Sequence, residues 1–216
     1  MNDWPRKLLA EFLGTALLLA TVVGSGIMGE RLAGGNVAIA LLANALATGF
    51  GLVALIVAFA HRSGAHFNPV VTLVFALRAG FPWRAVLPYV MAQIAGAILG
   101  VLTAHLMFDL PLLQTSSNVR SGLGQWSSEV VATFGLVLVI LSCNRTRAWA
   151  APVAVGAYIA AAYWFTASTS FANPAVTLAR GLTATFSGIE PSGIAAFIVA
   201  QLVGAGLALA ADRGMT

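Results

Sequence analysis

Charged side chains are scarce in this sequence: Asp, Glu, Lys and Arg together make up 8% of 216 residues, against roughly 25% in an ordinary soluble domain. That scarcity excludes a solvated globular surface. Apolar residue types reach 59% and mean hydropathy is +0.91, so the exterior must face lipid. Cysteine is nearly absent as well: Cys143 stands alone, which excludes an internal disulfide and leaves it a small core residue near a span end. With three histidines and isolated acids there is no His/Glu pair at ligand spacing and no nucleophile beside a base. Intramembrane catalysis is therefore disfavoured, and no cofactor or metal is implied. The cations are dispersed singly or in pairs. The net charge of +4 and pI of about 10.0 then reflect loop charge that sets topology and meets anionic membrane lipid, with no nucleic-acid footprint.

Six apolar runs, at about 8–28, 37–60, 83–108, 126–143, 148–166 and 192–211, are each near the ~20 residues a spanning helix needs. Arg6 and Lys7 before the first run resemble the start of a signal peptide. Its length, the presence of Glu11 and a counterpart in the second half favour a retained span. With the N-terminus in the cytoplasm, Arg6, Lys7, Arg62, Arg78, Arg84, Arg145, Arg147 and Arg213 lie inside and only Arg31, Arg120 and Arg180 outside. The positive-inside rule thus puts both termini in the cytoplasm.

Two further segments are too short to cross. His66-Phe67-Asn68-Pro69-Val70-Val71-Thr72 and Phe171-Ala172-Asn173-Pro174-Ala175-Val176-Thr177 each carry an Asn-Pro step. Asn is a favoured N-cap and Pro is tolerated at the first helical position, so each phrase opens a helix. The apolar stretch that follows is about ten residues, or roughly 15 Å, against a hydrocarbon core of roughly 30 Å. These are half-helices, and the segments leading to them, 62–67 and 167–172, must descend along a pore or a packed seam.

The landmarks recur in order. The first half has Ala10-Glu11-Phe12-Leu13-Gly14-Thr15, then Asn68-Pro69, then Gln93-Ile94-Ala95-Gly96-Ala97; the second has Ser128-Glu129-Val130-Val131-Ala132-Thr133, Asn173-Pro174 and Gln201-Leu202-Val203-Gly204-Ala205. Three spans per half is an odd number, which predicts one channel domain built of inverted repeats, 1–110 and 122–216. The half-helices then meet N-terminus to N-terminus near the midplane. Each presents roughly +0.5 of an elementary charge there, repelling cations and protons. If the Asn68 and Asn173 oxygens cap their own helices, both amide NH₂ groups stay free to hold the oxygen of a passing neutral molecule.

The run from His61 to Thr72, with its counterpart around Asn173, resembles the signature loops of the aquaporin and aquaglyceroporin superfamily, and the similarity covers the whole chain. The resemblance implies an all-α membrane protein, with six transmembrane helices and two re-entrant half-helices in a right-handed bundle, one pore per subunit and a homotetramer in a bacterial inner membrane. Its paired motifs correspond here to Asn68, Pro69 and Val70, and to Asn173, Pro174 and Ala175. Two departures stand out. Val70 replaces the usual alanine, and Val176 stands where most of the family has an arginine of the outer constriction. Losing that arginine removes five donors and about one full charge. The remaining filter positions carry over to Thr48, Ala161 and Ser170 beside Val176, with Ala162 as the substitute if the register slips by one. Such a ring of small side chains is expected to be wide and uncharged. This combination resembles a bacterial aquaglyceroporin branch linked to arsenic resistance, which implies glycerol-like polyols, arsenite, methylated arsenicals and water as cargo.

Arg180 lies four residues beyond Val176, hence on the same helix face. Two roles suit it: a displaced filter cation at the outer vestibule, or a cap on the last carbonyls of the half-helix. Glu11 and Glu129 are intramembrane carboxylates, expected to accept hydrogen bonds from the descending loops, with a proton relay as the alternative. His61 and His66 are expected to support the first loop, with pH sensing as the alternative, and His105 to be incidental. Gly96 and Gly100, and Gly204 with Ala208, give small-residue faces for close helix approach inside the subunit or, alternatively, for dimerisation. An inverted-repeat anion channel or a proton-coupled carrier is the competing function; it would show saturable, pH-dependent flux.

Overall fold

A computed structural model describes residues 3–78 and 80–215, the side chain of Thr146 aside. Eight α-helices account for most of it: α1 (Trp4–Leu32), α2 (Val37–Ser63), α3 (Pro69–Leu77), α4 (Val86–Met107), α5 (Leu123–Thr146), α6 (Ala151–Phe165), α7 (Pro174–Arg180) and α8 (Pro191–Gly214). Single 3₁₀ turns lead into α4 and α6, and no strand occurs among the described residues. Six of the helices, counting those 3₁₀ turns, are long and apolar enough to cross a membrane; α3 and α7, at 9 and 7 residues, are the short ones. Large apolar side chains such as Phe50, Leu87 and Leu207 stand exposed on the outside of the bundle, as a lipid-facing surface requires.

Local chemistry sets the ends. Gly34 and Gly35, both with positive φ, turn the chain out of α1, and the Asn36 side chain accepts from the Ala38 and Ile39 amides to start α2. Gly64, at φ +92°, closes α2 with a left-handed cap whose N–H reaches Ala60 O. Because α2 runs through Ser63, the first descending segment is shorter than predicted, four residues from Gly64 to Phe67.

The bundle is assembled from small-residue crossings. α1 packs on α2 and α4, α5 on α6 and α8, and α2 on α6. Gly96 and Gly100 lie against the Phe12 and Ala16 carbonyls of α1, and Gly204 against the Val130 carbonyl of α5, so these glycines serve contacts within the chain. At the α2/α6 crossing, a Cβ on Gly49 would stand 2.8 Å from Gly156 O, and one on Gly156 2.5 Å from Gly49 O. Gly156→Leu is therefore expected to wedge these helices apart at a cost of about 1–3 kcal/mol, read as a lowered thermal midpoint of the detergent-solubilised protein. At one end of the bundle, buried Asp212 of α8 receives Arg78 Nη1 at 2.9 Å from the end of α3 and Arg145 from α5, tying three helix ends together.

Candidate functional site

The two half-helices meet head to head. Asn68 Oδ1 accepts from Val70 N at 3.0 Å, and Asn173 Oδ1 from Ala175 N at 3.0 Å and Val176 N at 3.3 Å. Each asparagine then crosses to the other loop: Asn68 Nδ2 donates to Ala172 O and Asn173 Nδ2 to Phe67 O, both at 2.8 Å. The amides are thus not wholly free, as the capping argument supposed. One hydrogen of each NH₂ fastens the opposite loop, which leaves one per asparagine for the lumen.

The loops that deliver these asparagines are strained in matching places. Ala65 and Phe67 have φ of 50° and 49°, and Ser170 and Ala172 have 53° and 46°, a left-handed conformation that costs a non-glycine residue about 1–3 kcal/mol. A buried carboxylate holds each loop. Glu11 accepts from Ser63 Oγ, the His66 and Phe67 amides and Gln93 Nε2 at 2.6–2.9 Å. Glu129 accepts from Ser168 Oγ, the Phe171 and Ala172 amides and Gln201 Nε2 over the same 2.6–2.9 Å range. Gln93 and Gln201 also donate to Thr72 and Thr177, at 2.9 and 2.8 Å. Ser63, Ser168 and both threonines are site residues that sequence reasoning did not single out. Their equal distance from the two asparagines was the available signal.

The histidines divide. His66 is buried, with Nδ1 3.0 Å from Thr72 Oγ1 and its ring stacked on Phe75 at 4.9 Å between centroids, where it braces the loop. His61 does not: it sits exposed on the last turn of α2, and its Nε2 accepts from neighbouring Arg62. The expectation for His61 is corrected because α2 continues past it. His105 is not incidental either. Fully buried, it spans Leu112 O at 2.9 Å and Thr183 Oγ1 at 2.8 Å, joining two long connections.

Around the asparagines lies a cavity of about 110 Å³. Its walls are apolar stripes at helical spacing: Leu18 and Val22 of α1, Leu52 and Ile56 of α2, Leu136 and Ile140 of α5, Val155 and Ile159 of α6. Val71 and Val176 both line it, each three residues past its asparagine. Polar side chains gather beside α7. Thr48 Oγ1 is 3.2 Å from Tyr163 OH, and Ser170, Phe171 and Arg180 complete that end. Val70 and Ala175 lie buried behind the lumen, in different apolar clusters.

Ala161 is not part of this wall. It is exposed on the outside of α6, because residue 161 stands two positions, about 200° of helix rotation, from both Ile159 and Tyr163. Ala162 is buried but does not line the cavity; Tyr163 is the α6 residue at the ring. The wall beside Thr48 is therefore not made of small side chains alone. Arg180 does not cap its helix: the last carbonyls of α7 accept from the Gly181, Leu182 and Ile189 amides, while Arg180 Nε donates to Ser187 O. Among the described residues no group of three His, Cys, Asp or Glu side chains is arranged to hold a metal ion.

Comparison with known proteins agrees with this geometry. The profile of the major intrinsic protein family matches residues 2–167. An aquaglyceroporin, AqpS, of Rhizobium meliloti is 56% identical over 98% of this chain and 90% of its own length. Aquaporin NIP1-1 of Zea mays is 36% identical over 93% of this chain and 71% of its own. Among solved structures, the aquaglyceroporin from Plasmodium falciparum superposes with a TM-score of 0.72 at 25% identity, covering 95% of this chain and 94% of that one. With six helices fit to span and two half-helices joined at Asn68 and Asn173, the chain belongs to the major intrinsic protein family and has the aquaporin fold.

Proposed function

We propose that this protein is a passive channel for small neutral solutes, glycerol-like polyols foremost, with arsenite, methylated arsenicals and water as further cargo. The observation that carries the reading is the reciprocal Asn68 and Asn173 cross-link on the wall of a cavity with apolar stripes. Such a wall gives the carbon side of a polyol an apolar surface, while Thr48, Tyr163 and the spare asparagine hydrogens engage its oxygens. The relatives named as aquaglyceroporins support a polyol cargo, as does the glycerol uptake facilitator of Streptococcus pneumoniae, 32% identical over 63% of this chain. Val176 in place of a long cationic side chain supports passage of bulkier solutes such as arsenite. The chain is read as two inverted repeats, 1–110 and 122–216, in a bacterial inner membrane with both termini cytoplasmic, assembled as a homotetramer.

Stopped-flow light scattering on proteoliposomes tests this. Glycerol and arsenite should enter at least about tenfold faster than in empty vesicles, with flux linear in concentration and indifferent to a pH gradient. Saturable or proton-driven flux would assign a carrier mechanism instead.

A further inference from the structure

The two ends of the cavity differ in a way that its helical framework does not demand. Counted from the asparagines, Phe75 and Arg180 occupy the same place, as do Ala65 and Ser170, and His66 and Phe171. At the α3 end Phe75 stacks on His66; at the α7 end the Arg180 guanidinium lies 3.4 Å from the centroid of Phe171. One end is lined by an aromatic pair and the other by a cation on an aromatic face. Arg180 is 1% exposed and lines the cavity. Its Nε donates to Ser187 O, and no carboxylate pairs with it among the described residues. A buried charge without a counter-ion needs polar partners, and among the described residues the side-chain hydrogen bond of Arg180 is the one from Nε, with none from its terminal amino groups. Ser170 Oγ, on the same wall, is buried and also without a hydrogen-bond partner. A second cation, Arg120, stands 5.2 Å from the Phe171 ring and is anchored on the Gly188 and Ser168 carbonyls, adding positive potential behind the first.

We propose that Arg180 is the charge-selecting residue of this pore: lodged on Phe171 one helical turn beyond Val176, it offers its amino groups, with Ser170 Oγ, to the oxygens of a neutral hydroxylated solute and turns cations back. The inference rests on the channel reading above. It replaces the expectation of an uncharged ring, because the cation has moved along α7 and has not been lost.

Proteoliposomes separate charge from packing when guanidinium and glycerol entry are measured side by side. The guanidinium-to-glycerol ratio should rise about tenfold in Arg180→Gln, as expected for removing one fixed charge a few ångströms from the path in a partly hydrated lumen. Arg180→Met, whose thioether keeps an aromatic contact with Phe171, should behave alike and serves if the glutamine variant inserts poorly. Arg180→Lys should stay within about threefold of wild type, since it keeps the charge but not the planar fork. A ratio unchanged in both neutral variants overturns the proposal. So does an equal rise in Arg180→Lys, which would make the residue a packing element. A wild type closed to glycerol would overturn the channel reading and this inference together, whereas a conducting wild type with unaltered ratios overturns this inference alone.

Discussion

Glu129→Leu is expected to lower glycerol flux per inserted protein by tenfold or more and to destabilise the second loop. The carboxylate receives four donors, and two of them, the Phe171 and Ala172 amides, belong to backbone that cannot turn away. Each buried donor left without an acceptor costs about 1–3 kcal/mol. The left-handed strain at Ser170 and Ala172, about 1–3 kcal/mol apiece, then loses its restraint. The two amides alone come to roughly 2–6 kcal/mol, a large fraction of the whole stability of a typical domain. Since Asn173 follows Ala172 directly and donates to Phe67 O, slackening one loop also loosens the other. Thermal unfolding in detergent and glycerol flux should fall together. Glu129→Gln keeps one acceptor oxygen and should lie between. A proton relay would behave differently: the glutamine variant would lose pH-dependent conduction while keeping the wild-type midpoint.

Much of this architecture is written in local chemistry, and the departures have identifiable causes. Asn-Pro before an apolar run specifies a capped helix start wherever it occurs, so α3 and α7 could be placed from four residues. That Glu11 and Glu129 accept from the descending loops followed from their one-per-repeat placement, since intramembrane polar groups must find partners; that Gln93 and Gln201 donate to the same carboxylates did not, because order along the chain does not say which spans pack side by side. Which side of α6 faces the lumen was not legible. That helix is apolar all round, so periodicity carries no phase, and counting from Asn173 across an irregular loop selected Ala161 over Tyr163. The destination of Arg180 was equally hidden, because helix geometry says which face a residue shares but not that Phe171 lies beneath it. His61 misled for a simpler reason: its polarity and neighbours suit a loop, and the capping glycine that ends α2 comes three residues later.

Val176→Arg should suppress the larger solutes first, with glycerol and arsenite entry falling by about tenfold or more and water entry by less. Val176 is 5% exposed and lines the cavity, so a side chain several atoms longer has only the lumen to occupy. The introduced guanidinium would lie one turn, roughly 6 Å along the helix axis, from Arg180. Two like charges at that distance repel by roughly 3 kcal/mol at an effective dielectric constant near 20, and by less where water fills the lumen. The pore should therefore become narrower and more strongly cation-excluding at once. An unaltered solute profile would show that position 176 does not constrict the path. Pairing Val176→Arg with Arg180→Gln separates the two effects. If one fixed cation on α7 suffices for charge exclusion, the double variant should regain a wild-type guanidinium-to-glycerol ratio while keeping the reduced flux of the bulkier solutes. That non-additive result would make Val176 and Arg180 alternative seats for a single function.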